Sequence, residues 1–117
     1  MASTDIEISK EIGQYLYNIA PDAAKTILMI AALAPTGDVG RFEFWSNDGA
    51  GEQEFSIRDA EMGTMLDLLS RHQQYMVEKN KQAAWTRCDF TVNVDTGKFS
   101  MDLGYEEFIF KAEPLRQ

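Results

Sequence analysis

The sequence has one cysteine, Cys88, and one histidine, His72, in 117 residues. An intrachain disulfide is therefore impossible, and a cysteine- or histidine-based zinc site lacks the ligands it needs. Long apolar runs are also missing. The longest, Ile27 to Ala34, has eight residues, against about 18 to 20 for a membrane span, so no membrane-crossing helix is expected. The start, Met1-Ala2-Ser3-Thr4-Asp5, lacks the basic residues and apolar stretch of a secretory signal, and the expected location is the cytoplasm. Glycines are dispersed: Gly49 and Gly51 stand without the rest of a phosphate-binding loop.

Basic residues are in deficit, 11 against 19 acids, for a formal net charge of −8. A field of this sign repels nucleic acid and anionic lipid and speeds encounter with a basic partner. Solubility alone is the plainer reading of such acidity. The excess is uneven, however. Residues 36–60 hold six acids (Asp38, Glu43, Asp48, Glu52, Glu54, Asp59) against Arg41 and Arg58, a balance of −4, whereas residues 61–84 balance to zero.

What is present suffices for one core: 44% of residues are hydrophobic, with two Trp, seven Phe and four Tyr, in a chain of ordinary single-domain length. One domain over residues 1–117 is expected, with its core in about 5–110. Thr4 and Glu7 have capping-box spacing, and Ile8, Ile12, Tyr15, Leu16 and Ile19 follow at helical spacing until Pro21 ends the run. A helix over 5–20 follows. The apolar run over 25–34 fits a buried strand or a short helix and is read as a strand. Pro35 to Asp38 is a turn, and Phe42 and Phe44 alternate with Glu43 in a strand that ends at Trp45. Ser46 to Gly51 is loop chemistry before a short strand over 52–55. Ser56 and Asp59 resemble a second helix start. Met62, Met65, Leu66, Leu69, Gln73 and Met76 then line one face of a helix over 57–81, with the methionines read as core filler.

The last third has the clearest strand signal. Trp85, Cys88, Phe90, Val92 and Val94 are assigned to one face, Thr86 excepted, and Arg87, Asp89, Thr91, Asn93 and Asp95 to the other. Phe99, Met101, Leu103 and Tyr105 alternate with Ser100, Asp102 and Gly104 in the partner strand. The turn Asp95 to Lys98 joins them, Gly97 being free to take positive φ. Phe108, Ile109 and Phe110 extend the tail before Pro114, with strand or cross-sheet placement both open. The expected fold is α+β: an antiparallel sheet with two main helices on one face, in the order α-β-β-β-α-β-β.

Catalytic constellations are thin. His72 has no triad-like companions and is read as a surface or helix-edge residue. Cys88, on an apolar parity, is read as a buried small hydrophobe. Asp102, Glu106 and Glu107 cluster near Tyr105, where an acid/base pair or a cation site is conceivable, but a solvated or partner-facing acidic edge is the favoured reading.

The C-terminal pattern Trp85-Thr86-Arg87-Cys88-Asp89-Phe90, then Gly97-Lys98-Phe99, then Asp102-Leu103-Gly104-Tyr105-Glu106-Glu107, resembles the YezG-like family of bacterial immunity proteins. The similarity extends over roughly residues 6–108, through the helix ending at Ala20-Pro21, the aromatic strand ending Phe42-Glu43-Phe44-Trp45, and the long helix leading to Trp85. Its specific part is the stretch from Trp85 to Glu107. The resemblance implies an antitoxin that binds and neutralises a cognate polymorphic toxin, often a nuclease, made by the same cell. A phosphate-gripping nuclease is usually basic, which suits an acidic partner. Trp85, Phe90, Phe99 and Tyr105 are expected to be core of the shared fold, leaving recognition to the polar surface.

The expectation is thus a non-enzymatic immunity protein with no cofactor and no metal, occluding a basic toxin. Asp38, Asp48, Glu52 and Glu54 form the first candidate contact region, and Asp102, Glu106 and Glu107 the second. The rival classes are an acidic adaptor or chaperone-like binding module without inhibitory role, and a small hydrolase or ligand-binding enzyme.

Overall fold

A computed structural model describes residues 4–108 and 114–116. The elements run α1 (Asp5–Ile19), β1 (Thr26–Leu33), β2 (Gly40–Asn47), β3 (Glu52–Phe55), α2 (Asp59–Asn80), β4 (Arg87–Asn93) and β5 (Phe99–Gly104). All strand pairs are antiparallel, in the spatial order β3-β2-β1-β4-β5. This is the α+β architecture and element order expected from the sequence. Among the described residues no helix is long and apolar enough to cross a membrane.

The ambiguity of the 25–34 run has a structural cause. As the central strand, β1 is hydrogen-bonded on both sides, and its side chains meet cover on both faces. Ile27, Met29, Ala31 and Leu33 are buried in the main core, and Ile30, which points the other way, is also only 2% exposed. A strand covered on both faces shows no polar alternation. The core face continues across the sheet in register: Phe44 and Phe90 flank Met29, while Ser46 and Val92 flank Ile27. Both helices pack on this face. Ile8, Ile12 and Leu16 of α1, with Met65 and Leu69 of α2, fill the core.

Helix starts follow local chemistry. Thr4 Oγ1 accepts from the Glu7 N–H at 3.1 Å, satisfying one orphan donor of α1. For α2, Ser56 is not the cap. The helix begins at Asp59. The Glu61 carboxylate accepts from the Arg58 N–H at 3.0 Å and pairs with the Arg58 guanidinium at 3.1 Å. Gly97 takes φ +72° in the β4–β5 turn, as its position requires.

Four side chains depart from expectation. Trp85 precedes β4 and does not belong to its alternation; it is fully buried, and its indole Nε1–H donates to His72 Nδ1 at 3.1 Å. His72 is accordingly not a surface residue but 2% exposed. Met62 is 38% exposed, so only Met65 of the three helix methionines is fully buried. Tyr105 lies past the end of β5, 47% exposed, with its hydroxyl accepting from Gln82 Nε2 at 2.7 Å. Cys88 is buried as expected, and burial pushes its thiol well above the ordinary range. Of the tail trio, Ile109 and Phe110 lie outside the described residues.

His72 predicts a pH response. Burial lowers its pKa from the ordinary 6.5, so the folded protein holds it neutral as the acceptor for Trp85. The unfolded chain takes up a proton as pH falls through 6.5, and the folded chain does so only at lower pH. Stability is therefore full above that value and declines as pH falls below it. Denaturation midpoints should drop between pH 7 and 5 in the parent, and the drop should shrink in His72→Gln. The carboxylates with lowered pKa, Asp48 and Glu61, start from 3.8 and 4.5 and act below this window.

Candidate functional site

The face of the sheet away from the helices carries the polar parity of β2, β3, β4 and β5, with the apolar Leu28 and Ile30 of β1 between them. In antiparallel pairing, residues directly opposite one another point to the same side, so the register builds rows across this face. One row runs Glu43, Ile30, Asp89, Asp102 from β2 to β5, and the next runs Glu54, Trp45, Leu28, Thr91, Ser100 from β3 to β5. Glu52 sits two residues before Glu54 on β3, opposite Asn47. Five acids, Glu43, Glu52, Glu54, Asp89 and Asp102, therefore share one surface.

Asp89 and Asp102 are direct cross-strand partners, an arrangement that like charges disfavour. Arg87 offsets part of the repulsion. Its Nε–H donates to Asp89 Oδ1 at 2.9 Å, and this hydrogen bond raises the arginine pKa. Asp102 is exposed and has no ion-pair partner among the described residues.

The candidate residues read from the sequence divide differently in space. Glu52, Glu54 and Asp102 come to the same face, but at opposite edges, four inter-strand steps or about 19 Å apart. Asp38 and Asp48 lie beyond opposite ends of β2, whose eight residues span about 26 Å. The two are not brought together. Asp48 is engaged within its own loop, where its Oδ1 accepts from the Ala50 and Gly51 N–H groups at 2.8 and 3.1 Å, and these bonds hold its pKa below the usual value. Asp38 accepts from the Thr36 hydroxyl within its own turn. Glu106 and Glu107 follow β5 and are exposed; the Glu106 carbonyl accepts from the Thr86 hydroxyl.

Sequence reasoning left Glu43, Asp89 and Trp45 out of the candidate set. The signal for them was the polar parity of β2 and β4, which the alternation already displayed. Only the register adds that these residues align with Asp102 and Glu54.

Part of the open face is covered by residues 114–116. The Leu115 N–H donates to the Glu43 carboxylate, the Arg116 N–H donates to it at 3.2 Å, and the Leu115 carbonyl accepts from Arg87 Nη1 at 3.1 Å. Because β1 lies between β2 and β4, this peptide crosses over β1, which accounts for cover on the Ile30 side. The Arg116 guanidinium lies 4.8 Å from the Trp45 ring centroid and 2.5 Å from Glu52 Oε1. That last contact is an ion pair without hydrogen-bond alignment, since Nη1 has no hydrogen-bond partner among the described residues.

Among the described residues no group of three His, Cys, Asp or Glu side chains is placed to hold a metal ion. What the open face offers chemically is a field of carboxylates around an indole, suited to cationic side chains. No known protein-family model matches the chain, and no curated protein matches it either.

Proposed function

We propose that the chain is a non-enzymatic immunity protein that neutralises a cognate bacterial toxin, a nuclease domain of basic surface, by covering it with the acidic sheet face. One observation carries the reading. Five carboxylates are gathered on the sheet face that the helices leave uncovered, including a directly opposed Asp89–Asp102 pair that a purely structural sheet would avoid. The pattern from Trp85 to Glu107, which resembles YezG-like immunity proteins, supports the toxin as the partner. The physics of encounter agrees: a net charge of −8 steers the protein onto a surface built to grip phosphates and away from nucleic acid itself.

The test is co-expression with the toxin-like reading frame nearest the gene. The parent protein should restore growth and co-purify with the toxin. Co-purification without protection would replace this reading with that of an acidic adaptor. Neither protection nor complex formation would remove both.

A further inference from the structure

The contact between Arg116 and the open face shows what chemistry that face accepts. The guanidinium lies against the Trp45 ring at 4.8 Å, and Glu52 pairs with it. The carboxylate of Glu43, on the same face, receives the backbone N–H groups of Leu115 and Arg116, while Glu54 lies directly across from Trp45. An aromatic face flanked by carboxylates is the arrangement that separates arginine from lysine, since a planar guanidinium stacks and forks where an ammonium does neither.

The intramolecular occupant fits incompletely. Arg116 Nη1 is buried without an aligned acceptor, and the Trp45 Nε1–H is buried with no acceptor among the described residues. Buried donors left unmatched weaken a contact relative to one that satisfies them. A segment that supplied both a guanidinium and a carbonyl for Trp45 Nε1 would satisfy more of the site than residues 114–116 do.

We infer that Trp45, Glu43 and Glu52 form an arginine-recognition cradle in which Arg116 is a displaceable stand-in for an arginine of a basic protein partner. Charge complementarity commits the occupant to an arginine-bearing protein segment: three acids, Glu43, Glu52 and Glu54, share the sheet face of Trp45. That the partner is a toxin rests on the reading proposed above; the chemistry of the cradle does not. Because the stand-in is tethered, it competes at an effective concentration in the millimolar range, and the partner's apparent affinity falls by the fraction of cradles left open.

The experiment needs no toxin. The indole N–H resonances of the two tryptophans are followed by NMR while hexa-arginine or hexa-lysine peptide is added to the full-length protein. Trp45 reports the cradle, and buried Trp85, bonded to His72, is the internal reference. In Arg116→Ala, hexa-arginine should shift the Trp45 signal alone, with a midpoint about tenfold below that of the parent. Hexa-lysine, of equal charge, should require at least about fivefold more peptide. Adding Glu43→Gln and Glu52→Gln should remove the preference for arginine. Equal midpoints for the two peptides would reduce the site to general acidity and overturn the cradle. Equal midpoints in parent and Arg116→Ala would overturn the stand-in role. Failure of toxin neutralisation would leave these results untouched, so the two claims fail separately.

Discussion

Replacing Trp85 with alanine is expected to lower folding stability by about 3–5 kcal/mol, the range for truncating a fully buried aromatic. The indole is completely enclosed, and its N–H is the donor that His72 Nδ1 accepts. Truncation therefore opens a cavity and leaves a buried imidazole nitrogen without its donor. Against a total of about 5–15 kcal/mol for a typical domain, such a loss brings the protein close to unfolding at ordinary temperatures. Trp85→Phe separates the two contributions. It keeps most of the volume and loses only the hydrogen bond, so it should cost about 1–3 kcal/mol. Urea denaturation of both variants measures this. An unchanged midpoint for Trp85→Ala would mean that the residue is not the core anchor described.

The second large effect is expected at Gln73, one residue along α2. Its side chain is 2% exposed, and Nε2 donates to the Ala34 carbonyl at 3.0 Å and to the Trp85 carbonyl at 2.7 Å. It thereby ties the helix to the end of β1 and to the entry into β4. Gln73→Leu keeps the bulk but leaves the Trp85 carbonyl without its donor, at a cost of about 1–3 kcal/mol, while the Ala34 carbonyl keeps the Gly37 N–H at 2.8 Å. Gln73→Glu should also destabilise, because a carboxylate cannot donate to either carbonyl. Since Gln73 and His72 both hold Trp85, the double variant Gln73→Leu/Trp85→Phe should cost less than the sum of the two single losses. Additive losses in the denaturation midpoints would show that these residues do not act as one unit.

The element order was legible because each element carries its own local signature. Pro21 bounds the first helix, Gly97 marks the last turn, and the alternation from Cys88 to Val92 has one reading. The misplaced residues are those whose position is decided by something distant in the chain. Trp85 breaks the strand parity because α2 offers it a histidine partner, and His72 is buried for the same reason. Arg58 replaces Ser56 as the residue that caps α2 because Glu61 reaches back to its N–H.

Legibility of the candidate site stops at the same boundary. Glu52, Glu54 and Asp102 were readable as acids on polar parities, but a shared surface is a property of strand order. Nothing local says that β1 separates β2 from β4, so the row from Glu43 through Asp89 to Asp102 has no one-dimensional signature. Asp48 has a local role that its acidity did not announce. It reads as partner surface because it lies in the acid-rich stretch 36–60, and its carboxylate also closes the turn before β3. The contact of Arg116 with Trp45 joins residues far apart in the chain, beyond the reach of any spacing argument.

The central claim, that the acidic sheet face engages a basic toxin, is tested most directly by the association rate of parent and Glu52→Gln/Glu54→Gln/Asp102→Asn variant with the toxin that the parent neutralises. Each rate is measured at low and at physiological salt. Exposed charges act mainly on encounter and are screened beyond about 8–10 Å at physiological ionic strength. The variant should associate about tenfold more slowly at low salt, with a flatter salt dependence, while its denaturation midpoint barely moves. Equal rates for parent and variant at both salt concentrations would contradict the account and move the interface off the open face of the sheet.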